Sequence, residues 1–493
     1  MKDKLLHIIR TKPIFLFLLP PFFVLHGFSE NYDFIPVKDA LLLTAVYTGF
    51  SIIFSLLCRL LYRNFIKANL AAFFIMAFHF FFGSAHDFIK KILPGSFITK
   101  YTFILPAAAI LFIILLIVLK KRKSPLFKLN YYLNILFVVL LLTDSFLLIS
   151  KIITRKKASY ALPEGFVPCS NCPKPDIYFI LADEYAGNRE LKDLFQFDDS
   201  AFINQLGKLN FHTVPESYSN YNYTPFSVAS MLNMNYLDLN GNQRIKPDLI
   251  YSYEKIRNNK LLQFLRFHNY NFYNYSVFDF EGQPARTRET FLPAKTRLIT
   301  AQTFLSRFDK EIRFNLVSRW KSKKNLKIIT YYNKANNENI YSLTWKLAEE
   351  KTQKPKFVYT HLMMPHYPYY YDRNGKEQPF EKLLEGNQSN KEAYIEYLQY
   401  SNKKLLELVQ HILQSSASPP IIVLAGDHGF RHFKEPVESK YYFLNLVSVH
   451  LPSKNYTRFS DSLTGVNLFR AILNDQFGQH LPLLKDSTSY LRD

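Results

Sequence analysis

Cysteine is scarce in this chain, and the shortage removes whole classes of site. Only three occur among 493 residues. Cys58 lies inside a long apolar stretch, where a thiol is just a small apolar side chain. Cys169 and Cys172 form a C-x-x-C with no second copy and no strand-to-helix setting. That argues against a zinc site or a redox motif and leaves a short-loop disulfide outside the cytoplasm. Acidic residues are also in the minority, 40 against 61 basic ones, for a net charge of +21. Such an excess can mean nucleic acid, yet no basic-aromatic nucleic-acid motif is present. A calcium loop is missing too: Asp372-Arg-Asn-Gly375 opens like one, but Leu383 stands where a bidentate glutamate belongs, so the stretch reads as a turn.

What the chain has in abundance, up to about residue 150, is apolar sequence. Five stretches, roughly 12–28, 39–61, 66–83, 101–119 and 131–150, read as transmembrane helices by length and composition. The first is the weakest, because Pro20-Pro21 interrupts it. It has no small-residue cleavage site and more spans follow, so it reads as a signal anchor. Positive charges gather at Lys2, Lys4, Arg10 and Lys12, at Arg59, Arg63 and Lys67, and at Lys120 to Lys123 with Lys128. These mark the cytoplasmic side. An odd number of spans then places the rest of the chain outside, in a multi-pass protein of the inner (cytoplasmic) membrane with a periplasmic domain. Lys90-Lys91 and the cluster Lys151, Arg155, Lys156 and Lys157 run against that assignment. The membrane also explains the net charge, part orienting helices and part holding the outer domain against anionic headgroups. The expected organisation is a membrane domain over 1–150, a Pro-rich connector over 151–175 and an extracytoplasmic domain over 176–493.

In that outer domain, Ile421-Ile-Val-Leu-Ala is a buried strand that stops at Gly426 and delivers Asp427 and His428. A carboxylate beside an imidazole at a strand's carboxyl end suits a divalent cation; a plain Asp-His-Gly turn is the alternative. Asp176 to Ala182 forms a first strand and ends in Asp183-Glu184, an adjacent pair that is costly to bury unless a cation lies beside it. Thr224-Pro225 reads as a helix start, with the hydroxyl as N-cap and proline first in the helix. A phosphate or sulfate ester would bind there, and a coordinated threonine can act as a nucleophile. Pro355 to Leu362 is a third strand. His366, between Pro365 and Pro368, follows it in a rigid loop suited to a leaving oxygen, while His361 reads as a core residue. Asn271–Phe278 and Tyr441–Leu451 read as further strands and 466–473 as a helix. Residues about 284–350 read as helical and basic, a lid or a membrane-facing surface.

The order Asp183-Glu184, Thr224, His366, Asp427-His428, carried by "FILADEYAG", "HLMMPHYPY" and "LAGDHGF", resembles the alkaline phosphatase and sulfatase superfamily. With spans in front, the chain looks like its membrane-anchored branch, the lipoteichoic acid synthases and phosphoethanolamine transferases. The resemblance implies an α/β fold with a central, mostly parallel sheet flanked by helices. It also implies one divalent metal (zinc, manganese or magnesium), or two, held by Asp183, Glu184, Thr224, Asp427 and His428. Thr224 would form a phospho-threonine intermediate, with His366 assisting. The reaction implied moves a phosphoethanolamine- or phosphoglycerol-type headgroup from a membrane phospholipid donor to an envelope glycan or lipid acceptor. Sulfatases of the superfamily carry Cys-x-Pro-x-Arg, or serine for the cysteine; Thr224-Pro225-Phe226-Ser227 departs from it, which argues for phosphoryl transfer. A hydrolase using water, or an inactive envelope scaffold, are the alternatives.

Overall fold

The computed structural model describes all residues except 1, 33–34, 125, 160, 170–171, 286–295, 310–326, 328–329 and 493. The chain divides into two compact units, Met1–Arg155 with Phe291–Lys321 and Lys156–Thr290 with Ser322–Asp493.

The first unit holds helices α1 (Lys2–Thr11), α2 (Phe15–Glu30), α3 (Val37–Leu61), α4 (Phe65–Ile92), α5 (Tyr101–Lys121) and α6 (Phe127–Ser159). Four of them, α3, α4, α5 and the Phe127–Thr154 part of α6, are long and apolar enough to cross a membrane. The expected count of five is not met, because α2 has 16 residues. At 1.5 Å each that is about 24 Å, short of the roughly 30 Å hydrocarbon core. Pro20 and Pro21 do not break α2, which runs through both with Pro20 buried, as membrane helices tolerate. Chain polarity is set by local signals such as Asn64, whose side chain accepts the Ile66 and Lys67 N–H groups and starts α4.

α2 lies along α6 in parallel. The Asn134 side chain accepts the Phe15 N–H at 2.6 Å and donates to the Ile9 and Lys12 carbonyls at 2.7 and 2.8 Å. His26 Nδ1 meets Asp144 Oδ1 at 3.3 Å, and Lys151 Nζ meets Glu30 at 2.8 Å. A later segment belongs to the same unit: Gln302 accepts the Gly83 N–H at 2.8 Å, Arg307 pairs with Asp87, and Phe304 packs on Phe78 and Phe82. The described parts of the expected 284–350 region include helices Arg297–Thr300, Phe304–Phe308 and Tyr332–Glu349; 286–295, 310–326 and 328–329 lie outside the described residues.

The second unit is an α/β domain. Its strands are β1 (Ile177–Ala182), β2 (His212–Thr213), β3 (Glu216–Tyr218), β4 (Asn271–Tyr275), β5 (Lys356–Leu362), β6 (Ile421–Gly426), β7 (Leu444–Asn445), β8 (Val447–His450) and β9 (Ser462–Thr464). A six-stranded sheet has the order β2-β8-β6-β1-β5-β4, with β6, β1, β5 and β4 parallel, β8 antiparallel to β6 and β2 antiparallel to β8; β7, β3 and β9 make a small second sheet. β1, β5 and β6 are buried on both faces, which is why they read as unbroken apolar runs. One side is covered by a core that includes Phe264, Leu468 and Phe469, the other by one that includes Leu398, Leu405 and Val409 from the helix Lys391–Ser415. The expected strand Tyr441–Leu451 is in fact a 3₁₀ turn at Ser439–Tyr442 followed by β7 and β8, which belong to different sheets. Leu446, between them, turns both its backbone groups inward, donating to Tyr185 and accepting from Gly426.

Candidate metal and phosphoryl-transfer site

Register brings the site together. Ala182 stands opposite Leu362 on one side and Gly426 on the other, so the residues after β1, β5 and β6 leave three adjacent parallel strands at one level. That is where an α/β sheet exposes its ligating groups. The helix Thr224–Asn233 begins beside them.

Asp183 and Glu184 are both buried, yet they face different groups. The cause is the backbone of Glu184, which has φ of +59°, a left-handed conformation that costs a non-glycine residue roughly 1 kcal/mol or more. Three bonds hold it: the Glu184 N–H donates to Asp427 Oδ1 at 2.8 Å, the Tyr394 hydroxyl donates to the Glu184 carbonyl at 2.8 Å, and the Ala186 N–H donates to that hydroxyl at 3.1 Å. Asp183 then joins Asp427 and His428, whereas Glu184 joins His366 and His432; in each trio the ligating atoms lie within 4.8 Å of one another.

Thr224 is not the N-cap the sequence suggested. Tyr223 takes that position and Thr224 is the first helical residue. Its hydroxyl is thereby turned to His428, with Oγ 3.3 Å from Nε2. His428 Nδ1 lies 2.7 Å from the Gly429 carbonyl, an oxygen that can only accept, so the proton is on Nδ1 and the Nε2 lone pair faces inward. Nε2 is also 3.2 Å from Asp427 Oδ2. A lone pair against a carboxylate oxygen is repulsive, and a cation between them relieves it.

The other polar atoms tell the same story. Asp183 Oδ1, Glu184 Oε2, Asp427 Oδ2 and His432 Nε2 are buried with no hydrogen-bond partner, each a costly state in a protein interior. Burial, with Asp183 nearby, pushes the Asp427 carboxyl far above its ordinary range. Burial also raises Glu184, against the pull of His366 and Arg431. It lowers His428 strongly, with Arg431 adding to the effect. These orphaned carboxylate and imidazole atoms around a hydroxyl fit a divalent cation, and zinc, manganese or magnesium all suit such donors.

His366 Nδ1 is 2.5 Å from the Tyr367 carbonyl, and its Nε2, at the partly open edge of the site, is 4.0 Å from Glu184. His361, expected in the core, is fully buried but holds Asp183, with Nε2 3.0 Å from Oδ2. His432 was not anticipated; it stands 3.6 Å from Glu184, and its spacing of four residues from His428 was the only available signal. Ser227 donates to the Asp427 carbonyl at 2.6 Å. Buried Glu190 accepts the Phe430 N–H at 3.1 Å and so fixes the loop that carries Arg431 and His432. Cys169 and Cys172 are paired, with Cα atoms 5.7 Å apart, in the second unit.

Sheet, helix start and paired carboxylate–histidine groups define an α/β domain with a metal-type centre at its strand ends. The chain belongs to the sulfatase family, whose model matches residues 193–470, more than half of its length. Asp183 and Glu184 precede the matched stretch. No protein of curated function matches the sequence. Among solved structures, the C-terminal periplasmic domain of EcEptC from Escherichia coli is 12% identical, covering 68% of this chain and 94% of its own, with a TM-score of 0.41. The putative sulfatase YidJ from Bacteroides fragilis is 12% identical over 65% and 78% with a TM-score of 0.41. The phosphonate monoester hydrolase SpPMH from Silicibacter pomeroyi is 13% identical over 64% and 75% with a TM-score of 0.38.

Proposed function

We propose that this membrane protein is a metal-dependent transferase that moves a phospho-alcohol headgroup from a phospholipid to an envelope glycan or lipid through Thr224. The observation that carries the reading is the Thr224 hydroxyl, freed from capping and held at 3.3 Å from His428 Nε2 among orphaned carboxylates. Asp183, Glu184, Thr224, Asp427 and His428 would hold the cation, which supplies positive charge for the alkoxide and the phosphoryl oxygens. His432 and His366 extend the donor set around Glu184. In the first half-reaction Thr224, as the alkoxide, forms the Oγ–phosphorus bond while the bond from phosphorus to the diacylglycerol oxygen breaks, and that oxygen takes a proton from His366 Nε2. In the second, the acceptor hydroxyl displaces Thr224 and gives its proton to that imidazole.

The test is intact-mass analysis of the purified, metal-loaded chain after incubation with phospholipid. A headgroup-phosphate adduct on wild type that is absent from Thr224→Ala supports the reading; an adduct that persists in the variant moves the nucleophile elsewhere. Membership of the sulfatase family favours a hydrolase as the second reading. There the adduct turns over without any acceptor, and product release is unchanged by added glycan or lipid.

The pairing of α2 with α6 supports a reading of the membrane topology. Contacts from Asn130 and Asn134 to Lys151 run along about 21 residues of α6, or about 32 Å, the thickness of a hydrocarbon core. We infer that α2 and its flanks make a fifth crossing beside α6. That keeps Lys2, Lys4, Arg10 and Lys12 cytoplasmic and the catalytic domain extracytoplasmic.

A further inference from the structure

Residues 484–492 form no helix or strand, and most of their side chains are exposed. Their bonds nevertheless fall on the loop that leads into Thr224. Asn220 Nδ2 donates to the Ser487 carbonyl and the Ser489 N–H donates to the Asn220 carbonyl, both at 2.9 Å. Asn222 meets Leu491 with both ends of its amide, accepting the Leu491 N–H at 2.9 Å and donating to the Leu491 carbonyl at 3.1 Å. Both asparagines are buried, so a slip of one residue along this pairing would strand polar groups in the interior. Leu491 is buried as well, in a cluster with Tyr221 and with Phe226, two residues past Thr224.

The same stretch reaches the other side of the Thr224–His428 contact. The Tyr490 ring lies 5.3 Å from that of Tyr442 and 6.4 Å from that of Phe443. The Tyr442 carbonyl accepts the N–H of Gly429, directly after His428, at 3.0 Å, and the Phe443 carbonyl accepts the N–H of Ser219, directly before Asn220, at 2.8 Å. One piece of chain thus braces both the turn that carries His428 and the loop that carries Thr224. That bracing matters because the helix start has no side-chain cap of its own, while the 3.3 Å contact of Oγ with Nε2 joins residues 204 apart in sequence. The hold on the stretch itself is thin, since Leu491 is its single buried side chain. Few apolar contacts and exposed backbone put a segment at the low-stability end of a fold, where it can open while the core stays formed.

We propose that residues 484–492 are a detachable strap that positions the nucleophile. Seated, the strap holds Thr224 Oγ against His428; released, it lets the helix start drift while the six-stranded sheet stays folded. Asn222, Tyr490 and Leu491 are its positioning residues, acting on Thr224 through the loop and the turn rather than on the substrate. This rests on Thr224 as the nucleophile proposed above.

The test uses the full-length, zinc-loaded protein in detergent, with a protease site inserted after the exposed Leu483, cut after purification and washed free of the released peptide. Cutting is expected to raise amide hydrogen exchange at Phe226 and Ser227 at least about 10-fold and to leave exchange in β1 and β6 unchanged. Adduct formation on Thr224 from phospholipid slows by on the order of 100-fold, the cost of a misplacement of about 1 Å, while propylphosphonate binding stays within about 3-fold. A synthetic peptide of residues 484–493 restores both protection and rate, and the same peptide carrying Leu491→Ala does not. Asn222→Ala in the uncut chain moves exchange and rate in the same directions. Unchanged exchange in both the cut protein and Asn222→Ala overturns the strap, and so does local loosening with an unchanged adduct rate. A rise in exchange that extends to β1 and β6 in both proteins also overturns it, since the segment is then an ordinary part of the fold. Loosening confined to the helix start, in a protein whose wild type forms no Thr224 adduct, leaves the strap standing and defeats the transferase reading.

Discussion

Asp183 and Glu184 are neighbours that serve different groups, and a single backbone dihedral separates them. That pair and Asp427-His428 were legible because apolar runs end abruptly in hydrophilic residues, Thr224 because a proline follows it at a helix start, and His366 because prolines flank it after a strand. His361 was not legible, since its place inside the fully buried β5 says only that it is buried. Its partner is set by parallel pairing with Leu181, which puts it next to Asp183. His361→Gln is expected to weaken metal binding about 10- to 100-fold, as loss of a residue orienting a ligand does, measured by competition with a chelating dye. Asp199 carries a second residue-scale prediction. The Tyr185 hydroxyl lies 2.7 Å from Asp199 Oδ2 and 2.6 Å from Asn402 Oδ1, and Asn402 Nδ2 donates to Asp199 Oδ1 at 2.7 Å. One hydroxyl proton cannot serve two acceptors, so the ring closes only with Asp199 protonated. Burial accordingly raises its carboxyl to about 7. A raised carboxyl stabilises the fold at low pH and loses that contribution as pH climbs from roughly 4 towards 7, on the order of 4 kcal/mol in all. In Asp199→Asn that part of the pH dependence of the thermal midpoint should vanish; an identical slope in both proteins would contradict the protonated ring.

Elements place these residues, and the turn after β6 shows how tightly. A Cβ on Gly429 would sit 2.2 Å from the Tyr441 carbonyl oxygen and 2.6 Å from Glu190 Oε2, so Gly429→Ala must move backbone. An overpacking cost of about 1–3 kcal/mol is expected, with the rate of Thr224 adduct formation down by on the order of 100-fold as His428 and Arg431 shift. Intact-mass time courses beside thermal melts check both. The same turn was readable in sequence as Gly-Asp-His-Gly, but its crowding was not, because Tyr441 and Glu190 arrive from other elements. The helix start at Thr224-Pro225 was readable in the same partial way. Proline fixed where the helix begins; which residue caps it depended on His428 and Asp427 drawing the hydroxyl away.

At the scale of the whole molecule, the apolar stretches outline the membrane unit, and the pairing of α2 with α6 is the basis of the fifth crossing proposed above. A cysteine at Lys4 should resist a membrane-impermeant maleimide in right-side-out vesicles and react in inverted ones, while one at Lys351 does the reverse. Reaction of both from one side would remove the fifth crossing. The unit also gathers in a segment from far along the chain, through the Gly83–Gln302 bond and the Arg307–Asp87 pair. No local pattern announced that destination, since the helices Arg297–Thr300 and Phe304–Phe308 are short and their partners Phe78, Phe82, Gly83 and Asp87 lie more than 200 positions away.

The sequence by itself determined the two-part organisation, the buried parallel strands and the residues that end them, because hydrophobic period and chain-breaking residues are local properties. It also excluded the cysteine-based sulfatase nucleophile. Tertiary structure decided which ligands stand together. Strand register levelled three strand ends, the left-handed turn at Glu184 split one carboxylate pair between two groups, and residues 487–491 closed on the loop before Thr224. Each of these depends on contacts between residues far apart in sequence, whose distances no local pattern encodes.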